Sequence, residues 1–436
     1  MRLDKRRTVL VGFAFLSICA FWQMYNNVVP LILTNTFHMN ETWSGAIMAA
    51  DNVAGLFLLP LFGGLSDRCR SPMGRRKPFL ICGTAAAVVL MLVLPGLDNS
   101  YAAAPTVWKT AAFVAVLGGL LVAMGSYRSP AVALMPDVTP KPLRSEANAV
   151  INLMGAMGGV LYLLLAAVLY SKEQPGHTDY YPLFAAVAAI MILSAVVVSL
   201  TVREPSREEV LRRDAEEAAR EQRPAGNAAQ TEAMPAPVRR SLGFLLLSIA
   251  LWFIGYNAVE TWFTTYASQV WGMALGESSV CLTIAMAGAI ASYVPVGALA
   301  GRIGRKNTIL LGTALLTASF FCAFLCTLAF AQFSPVMYVL FVMVGIAWAA
   351  ISVNSLPMVV EMCRAGDVGR FTGYYYTFSM AAQTITPIAA GWLLRHVGYD
   401  TLFPYAAIFS ACSMLTMFFV RHGDSRLTPK GEEARV

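Results

Sequence analysis

Apolar runs of about twenty residues recur along the whole chain, separated by short polar or charged segments. Each run is long enough to cross roughly 30 Å of hydrocarbon as an α-helix. The runs do not show the period-2 alternation of membrane β-strands. This pattern predicts an all-α polytopic membrane protein with twelve transmembrane helices. We place them at residues 8–34, 43–65, 77–97, 107–134, 145–170, 180–201, 242–267, 278–300, 306–328, 335–360, 370–394 and 401–420.

The composition supports a membrane-embedded chain, because 57% of the 436 residues are hydrophobic and only 13% are charged. A soluble domain is usually about one quarter charged. Basic residues precede the first run, as in a signal peptide. The run is too long for such a segment, however, and Gln23, Asn26 and Asn27 interrupt it. We therefore interpret it as a retained first helix.

Lysine and arginine are concentrated on one side of the predicted helices. With the N-terminus inside, the cytoplasmic segments carry 28 of the 32 basic residues. This bias predicts a multi-pass protein of the inner membrane with both termini in the cytoplasm. The topology accounts for the net charge of +7, so we do not expect a nucleic-acid partner.

A polar insert divides the predicted helices into two sets of six. Its first part is rich in Glu and Arg and its second part in Ala and Pro, which is typical of a linker. We expect an N-terminal six-helix bundle at 1–202, a cytoplasmic linker at 203–240, a C-terminal six-helix bundle at 241–420 and a cytoplasmic tail at 421–436.

The two sets of helices share short similar segments. "WQMYNNV" from Trp22 matches "WFIGYNAV" from Trp252, and "MGRRKPFLICGT" from Met73 matches "IGRKNTILLGT" from Ile303, both at an offset of about 230 residues. Chance similarity among Gly-, Leu- and Ala-rich helices is the alternative. Two matches at one offset favour a duplicated unit, which predicts two pseudo-symmetric bundles with a substrate site between them near the bilayer midplane.

Three ionisable side chains lie well inside predicted helices: Asp51, Arg128 and Glu260. Each costs about 2.5–3.5 kcal/mol at mid-helix, so each should face a cavity or a partner. Asp51 is either a proton-coupling site, for which a buried carboxylate is suited, or the salt-bridge partner of Arg128. Arg128 is either that partner or a group that recognises an anionic cargo.

Glu260 has the clearest surroundings, since Trp252, Tyr256 and Glu260 recur every four residues and share one helix face. Aromatic rings beside a carboxylate and amides can bind a sugar or a cationic drug. The alternative is a structural Glu bonded to neighbouring helices. Amides within helices also need partners. We expect these amides to line the cavity: Gln23, Asn26, Asn27, Asn257, Asn354 and Gln383.

The loop after the second helix is unusually basic and contains Gly63-x-x-x-Asp67-Arg68 and then Gly74-Arg75-Arg76. The matching loop of the second half contains Gly297-x-x-x-Gly301-Arg302-x-Gly304-Arg305. Glycines let helix ends approach closely, and an Asp can pair with cations in one conformation and release them in another. This suits a gate, although the cations also hold the loop inside.

Asp137 and Glu361 close the fourth and tenth helices in matching positions, within reach of Arg144 and Arg370. We interpret them as gate or loop-fixing pairs. The predicted gating residues are Gly63, Asp67, Arg68, Gly74, Arg75, Arg76, Asp137, Arg144, Arg302, Gly304, Arg305, Glu361 and Arg370.

These loops resemble the signature of the major facilitator superfamily, and the resemblance covers nearly the whole chain. The insertion before Gly74 resembles the glycoside–pentoside–hexuronide:cation symporters and the sucrose-transporter-like carriers. "RSPAVALMPD" from Arg128 is similar to a pattern of the melibiose-type carriers, but Arg128 replaces their sugar-binding Asp and Leu59 their cation-site Asp. The resemblance therefore implies the fold, and leaves the cargo and the coupling ion open.

No catalytic chemistry is visible in the sequence. The four histidines (His38, His177, His396 and His422) are widely separated, without metal-ligand spacing, and no Gly-Lys-Ser/Thr phosphate loop is present. We expect no enzyme activity, no cofactor and no metal site. An ion gradient is the expected energy source.

We interpret the protein as a monomeric secondary transporter that moves a small solute, a sugar or glycoside, across the lipid bilayer. The expected coupling ion is H⁺, with Na⁺ as the other possibility. The alternatives are a drug/H⁺ antiporter or an organic-anion carrier. From a different class, the alternative is a membrane sensor that binds a ligand without transporting it.

Overall fold

The computed structural model describes residues 4–139, 144–171, 176–204, 209, 235–362 and 368–423. Within these ranges the chain forms twelve α-helices and no strand. The helices are α1 (Lys5–Leu31), α2 (Glu41–Arg68), α3 (Lys77–Ala103), α4 (Val107–Val138), α5 (Arg144–Leu169), α6 (Tyr181–Thr201), α7 (Ala236–Trp271), α8 (Leu275–Ile303), α9 (Arg305–Ala329), α10 (Val336–Glu361), α11 (Val368–His396) and α12 (Leu402–Phe418).

The predicted all-α membrane fold is confirmed. Among the described residues, eleven helices are long and apolar enough to cross a membrane. The exception is α11, in which Gln383, Thr384 and Thr386 follow a stretch of tyrosines and lower the hydropathy. Every predicted span corresponds to one helix.

Helix ends differ from the predicted ones where polar turns extend an apolar run. The helix α7 begins at Ala236 with a proline in its first turn, a position where the missing N–H costs nothing. The helix α1 continues after Pro30 as a π-helical turn, Ile32–Thr36. Hydropathy alone does not register these extensions, because they contain few apolar residues.

The chain divides into two compact units. The N-terminal unit comprises Met1–Tyr25, Val53–Leu165 and Gln174–Ala233. The C-terminal unit comprises Asn26–Asn52, Ala166–Glu173 and Met234–Val436. The end of α1, the start of α2 and the end of α5 thus belong to the C-terminal unit, although they precede the polar insert in the sequence.

In the N-terminal unit, α3 packs against α4 and α6, and α1 packs closely on α5. A Cβ atom at Gly158 would overlap the Leu16 carbonyl oxygen, so a glycine is needed at this crossing. Lys109 Nζ donates to the Ser100 and Ala104 carbonyl oxygens, both at 2.7 Å. This cation satisfies the carbonyl groups at the C-terminus of α3.

In the C-terminal unit, α10 packs against α8 and α9, and α7 packs against α11 and α12. The Gly345 side of α10 touches α8 so closely that a Cβ atom would overlap the Ala285 carbonyl oxygen. Segment 26–52 is bonded to this unit as well. Thr264 Oγ1 donates to the Asn27 carbonyl oxygen at 2.9 Å, and the Tyr399 hydroxyl donates to Glu41 Oε1 at 2.8 Å.

Candidate functional site

An aromatic and acidic surface lies on α7 in the C-terminal unit. Trp252, Tyr256 and Glu260 follow one another at four-residue spacing, as the sequence predicted. Trp348 of α10 joins them. Its indole stacks on Tyr256, with ring centroids 3.8 Å apart and planes 27° apart, and meets Trp252 edge-on at 5.2 Å. We call these four residues the aromatic face.

Sequence analysis did not identify Trp348. Its position carries a weak signal, since it lies one helical turn before Ser352 in an otherwise apolar stretch of α10. A single tryptophan in an apolar helix is most often a core residue. Only the packing of α10 against the neighbouring helices assigns it to the aromatic face.

The predicted amides of the C-terminal unit bond to their own helices. Asn257 Nδ2 donates to the Phe253 carbonyl oxygen and Asn354 Nδ2 to that of Ala350, both at 2.9 Å. Gln383 Nε2 donates to the Ser379 carbonyl oxygen at 3.3 Å. Each bond uses one N–H group, so every amide keeps an acceptor and a second donor for a cargo molecule.

The predicted amides of α1 fall on both sides of the unit boundary. Gln23 belongs to the N-terminal unit and is half-buried, whereas Asn26 and Asn27 belong to the C-terminal unit. Asn27 is buried, and its backbone carbonyl accepts the Thr264 hydroxyl. The side-chain roles proposed for these amides stay predictions.

Arg128 lies beside an aromatic ring in the N-terminal unit. Its guanidinium carbon is 5.5 Å from the centroid of the Trp22 ring, a distance at which the ring face attracts a cation. In the C-terminal unit, the Asn52 amide donates to Asp51 Oδ1 at 2.9 Å. The two roles considered for each charged residue stay open.

The loop between α2 and α3 forms a dense ionic cluster. Asp137 at the end of α4 accepts from Arg75 at 2.6 Å and from Arg76 at 3.0 Å. Asp67 is 2.5 Å from Arg76 and 3.9 Å from Arg75. Asp67 is 54% exposed and Asp137 12%. We call these four residues the signature cluster.

The acid at the end of α4 therefore binds the arginines of the loop between α2 and α3. The side chain of Arg144, the partner considered from the sequence, lies outside the described residues. Gly63 contributes its carbonyl oxygen, 3.4 Å from Arg76 Nη1. Arg68 is the last residue of α2 and is exposed.

Glu204 is a member of this region that sequence analysis assigned to the linker. Its carboxylate accepts the backbone N–H groups of Arg75 at 2.9 Å, of Arg76 at 2.8 Å and of Lys77 at 3.3 Å. These groups open α3, where unpaired N–H groups and the helix dipole favour an anion. Burial raises the pKa of Glu204, although these hydrogen bonds act in the opposite direction.

Gly74 makes room for that carboxylate. Its φ is 108°, a region that favours glycine, and a Cβ atom there would overlap Glu204 Oε2. The glycine predicted from the loop motif is thus required by both its backbone conformation and its neighbour.

The matching region of the second half is built from fewer charges. Arg305 at the start of α9 contacts Glu361 at the end of α10. Gly304 joins α8 to α9 with a φ of 93°, and Arg302 lies in the last turn of α8. The side chain of Arg370, the predicted partner of Glu361, lies outside the described residues.

Comparison with known families gives a match along most of the chain. The sequence profile of the Major Facilitator Superfamily matches residues 11–324 and 268–436. The chain is also similar to the sucrose transport protein SUC4 of Arabidopsis thaliana, with 34% identity over 129 residues, or 28% of this chain and 25% of that protein.

A second relative is the proton-associated sugar transporter A of Rattus norvegicus, with 30% identity over 154 residues, or 34% of this chain and 20% of that protein. The chain thus matches a quarter or less of the length of these two relatives.

Solved structures show the same fold. The D-xylose-proton symporter superposes with a TM-score of 0.67 and 14% identity, over 96% of this chain and 98% of that one. The nucleoside transporter NupG superposes with a TM-score of 0.66 and 12% identity, over 94% and 98% of the two chains.

Proposed function

The chain belongs to the Major Facilitator Superfamily, and from this premise we propose that it is a secondary active transporter for a sugar or glycoside. The cargo crosses the inner membrane together with a cation, H⁺ before Na⁺, by alternating access. Both termini lie in the cytoplasm, as the distribution of Lys and Arg predicts. The similarity to sugar transport proteins supports the class of cargo.

The aromatic face is the observation that carries this proposal. Tyr256 and Trp348 form a fixed aromatic platform, and Glu260 lies one turn beyond Tyr256 on α7. A sugar ring offers C–H groups to an aromatic face and hydroxyls to a carboxylate. Asn257 and Asn354 supply further donors and acceptors from the same two helices.

Glu260 is also our candidate for ion coupling. A carboxyl group inside a membrane helix changes readily between its charged and neutral forms. If cargo and proton meet at the same carboxyl group, binding of one affects binding of the other. Asp51 is the second candidate for this role.

The signature cluster is the proposed cytoplasmic gate. Two carboxylates and two guanidinium groups within hydrogen-bonding distance form an arrangement that can break and re-form as helices move. Asp67 is the residue we expect to release its arginines, since it is the more exposed of the two acids.

Uptake into proteoliposomes tests the proposal. The full chain is reconstituted with a pH gradient, and uptake of labelled sucrose, methyl glucoside and glucuronate is measured with and without Na⁺. Glu260→Gln should abolish gradient-driven uptake of the accepted sugar. Glu209→Gln, at an exposed position, is the matched control and should transport normally.

Other outcomes would replace the proposal. Uptake of glucuronate alone would make the chain an organic-anion carrier and Arg128 its recognition residue. Efflux of cationic drugs without sugar uptake would make it a drug/H⁺ antiporter. Binding without any uptake would indicate a sensor. Normal sugar uptake by Glu260→Gln would refute the assignment of the site.

A further inference from the structure

A cavity of about 480 Å³ lies in the C-terminal unit, where α7 ends and α8 begins. Its volume falls within the range of small-molecule sites. The aromatic face does not contribute to its lining, and Glu260 lies about 16 Å away along the α7 axis from the nearest wall residue, Trp271. The lining residues that matter here are Ser171, Trp271, Glu277, Gln332, Phe333 and Tyr338.

Three aromatic rings form adjoining walls of this cavity. Trp271 and Phe333 have centroids 5.5 Å apart and planes 75° apart, and Phe333 and Tyr338 are 5.1 Å and 68° apart. Behind them, Tyr266 meets Trp271 edge-on at 5.0 Å. Edge-to-face pairs fix the rings while covering fewer ring faces than a parallel stack would. The cavity therefore offers aromatic surface to a ligand.

The polar groups of the cavity include both donors and acceptors. Glu277 Oε2 accepts the Ala274 N–H at 3.0 Å, which orients the carboxylate and leaves its second oxygen as an acceptor. The indole N–H of Trp271, the Gln332 amide and the Ser171 hydroxyl can donate. Sugar hydroxyls both donate and accept, so this mixture suits them. An organic cation would need acceptors alone.

The wall formed by the end of α5 is held by a backbone contact. Gly276 N–H donates to the Tyr170 carbonyl oxygen at 2.9 Å, and a Cβ atom at Gly276 would overlap that oxygen. This contact positions Ser171, the next residue, at the cavity. Only glycine permits so close an approach.

We propose that this cavity is a second saccharide-binding site, separate from the aromatic face. It holds one or two sugar rings between the aromatic walls and bonds their hydroxyls through Glu277 and Gln332. The inference takes its class of ligand from the proposed sugar transport and its position from the cavity alone. Because Glu277 and Gln332 are exposed, binding is expected to be weak, in the millimolar range.

The test uses the full chain labelled with 5-fluorotryptophan in nanodiscs whose lipids carry no sugar. Trp271→Phe identifies the ¹⁹F signal of Trp271, and sucrose is titrated. We expect a saturable shift of that signal in the wild type and in Glu260→Gln. Glu277→Gln should weaken the apparent affinity about threefold to tenfold. The signal of Trp108, which is 62% exposed, is assigned with Trp108→Phe and should not move.

Several results would overturn the inference. No shift with sucrose, trehalose or methyl glucoside would exclude a saccharide site, and a shift with choline instead would indicate a cation site. Loss of the shift in Glu260→Gln would mean that Trp271 reports on the aromatic face. An unchanged affinity in Glu277→Gln would remove the recognition residue.

The two proposals fail in different ways. A specific Trp271 shift without uptake of any sugar into proteoliposomes would keep this site and refute the proposed function. Sugar uptake without a Trp271 shift would keep the proposed function and refute this site.

Discussion

The Tyr256 ring stacks on the Trp348 indole, with centroids 3.8 Å apart. The two residues come from α7 and α10 and are far apart in the sequence. Their contact turns a row of residues on one helix into a surface shared by two. The chemistry proposed for Glu260 depends on this surface, because a carboxylate alone does not select a sugar.

Replacing Trp348 tests that surface. Trp348→Ala should weaken binding of the transported sugar at least about tenfold, since it removes a ring pair worth about 0.5–1.5 kcal/mol and part of the platform. Trp348→Phe should restore most of the affinity. Isothermal titration of the purified variants measures this. Trp108→Ala is the control, and an affinity of Trp348→Ala equal to the control would exclude Trp348 from the site.

The two acids of the signature cluster should respond differently to neutralisation. Asp137→Asn leaves two mostly buried arginines without their main partner and should destabilise the chain by about 2–4 kcal/mol. Asp67→Asn should cost under about 1 kcal/mol because Asp67 is largely exposed. Thermal unfolding of both variants measures the difference, and equal melting temperatures would contradict it.

The transport rate should respond in the opposite order to stability. Asp67→Asn is expected to slow sugar uptake with little change in equilibrium affinity, since Asp67 acts in the gate and not in the cargo site. Uptake rates and titration of the same preparation measure the two quantities. A large loss of affinity would mean that Asp67 contributes to cargo binding.

Glu204 predicts a specific pH dependence of stability. Burial raises the pKa of Glu204 above its ordinary value of 4.5, so the folded chain holds this proton more firmly than the unfolded chain. Its contribution is complete below about pH 4.5 and is lost as the pH rises through the folded-state value.

The variant Glu204→Gln isolates that contribution, since the amide oxygen can still accept backbone N–H groups. The melting temperature of the wild type minus that of Glu204→Gln should fall between about pH 4 and pH 7. A difference that stays constant or grows with pH would show that the three backbone hydrogen bonds outweigh burial.

Two glycines provide a matched test of helix packing in the C-terminal unit. Gly345→Ala places a methyl group against the Ala285 carbonyl and should cost about 1–3 kcal/mol. Gly297→Ala meets no atom within 4 Å and should be neutral or stabilise α8 by up to about 1 kcal/mol. Thermal unfolding distinguishes them, and a stable Gly345→Ala would contradict the close contact.

Much of the candidate site follows from local patterns. The four-residue spacing of Trp252, Tyr256 and Glu260 predicted a shared helix face, and the glycine-rich loop motif predicted the position of Asp67, Arg75 and Arg76. These inferences needed only the helix repeat and the distance along the chain.

The partners of these residues did not follow from local patterns. Asp137 binds Arg75 and Arg76 across 61 residues, whereas the sequence placed it near Arg144. Glu204 was assigned to a linker because the apolar run ends at about residue 201. Both positions depend on how α3, α4 and α6 pack, which hydropathy does not report.

The sequence by itself determined the twelve helices, the family and the charged residues that membrane burial makes conspicuous, because helix length, hydropathy and motif spacing are local properties. The tertiary structure alone decided that Trp348 completes the aromatic face, that Glu204 caps α3, and that residues 26–52 belong to the C-terminal unit. These relationships join residues that are distant in the chain. Their formation depends on the shapes of packed helix surfaces, and a one-dimensional pattern does not contain those shapes.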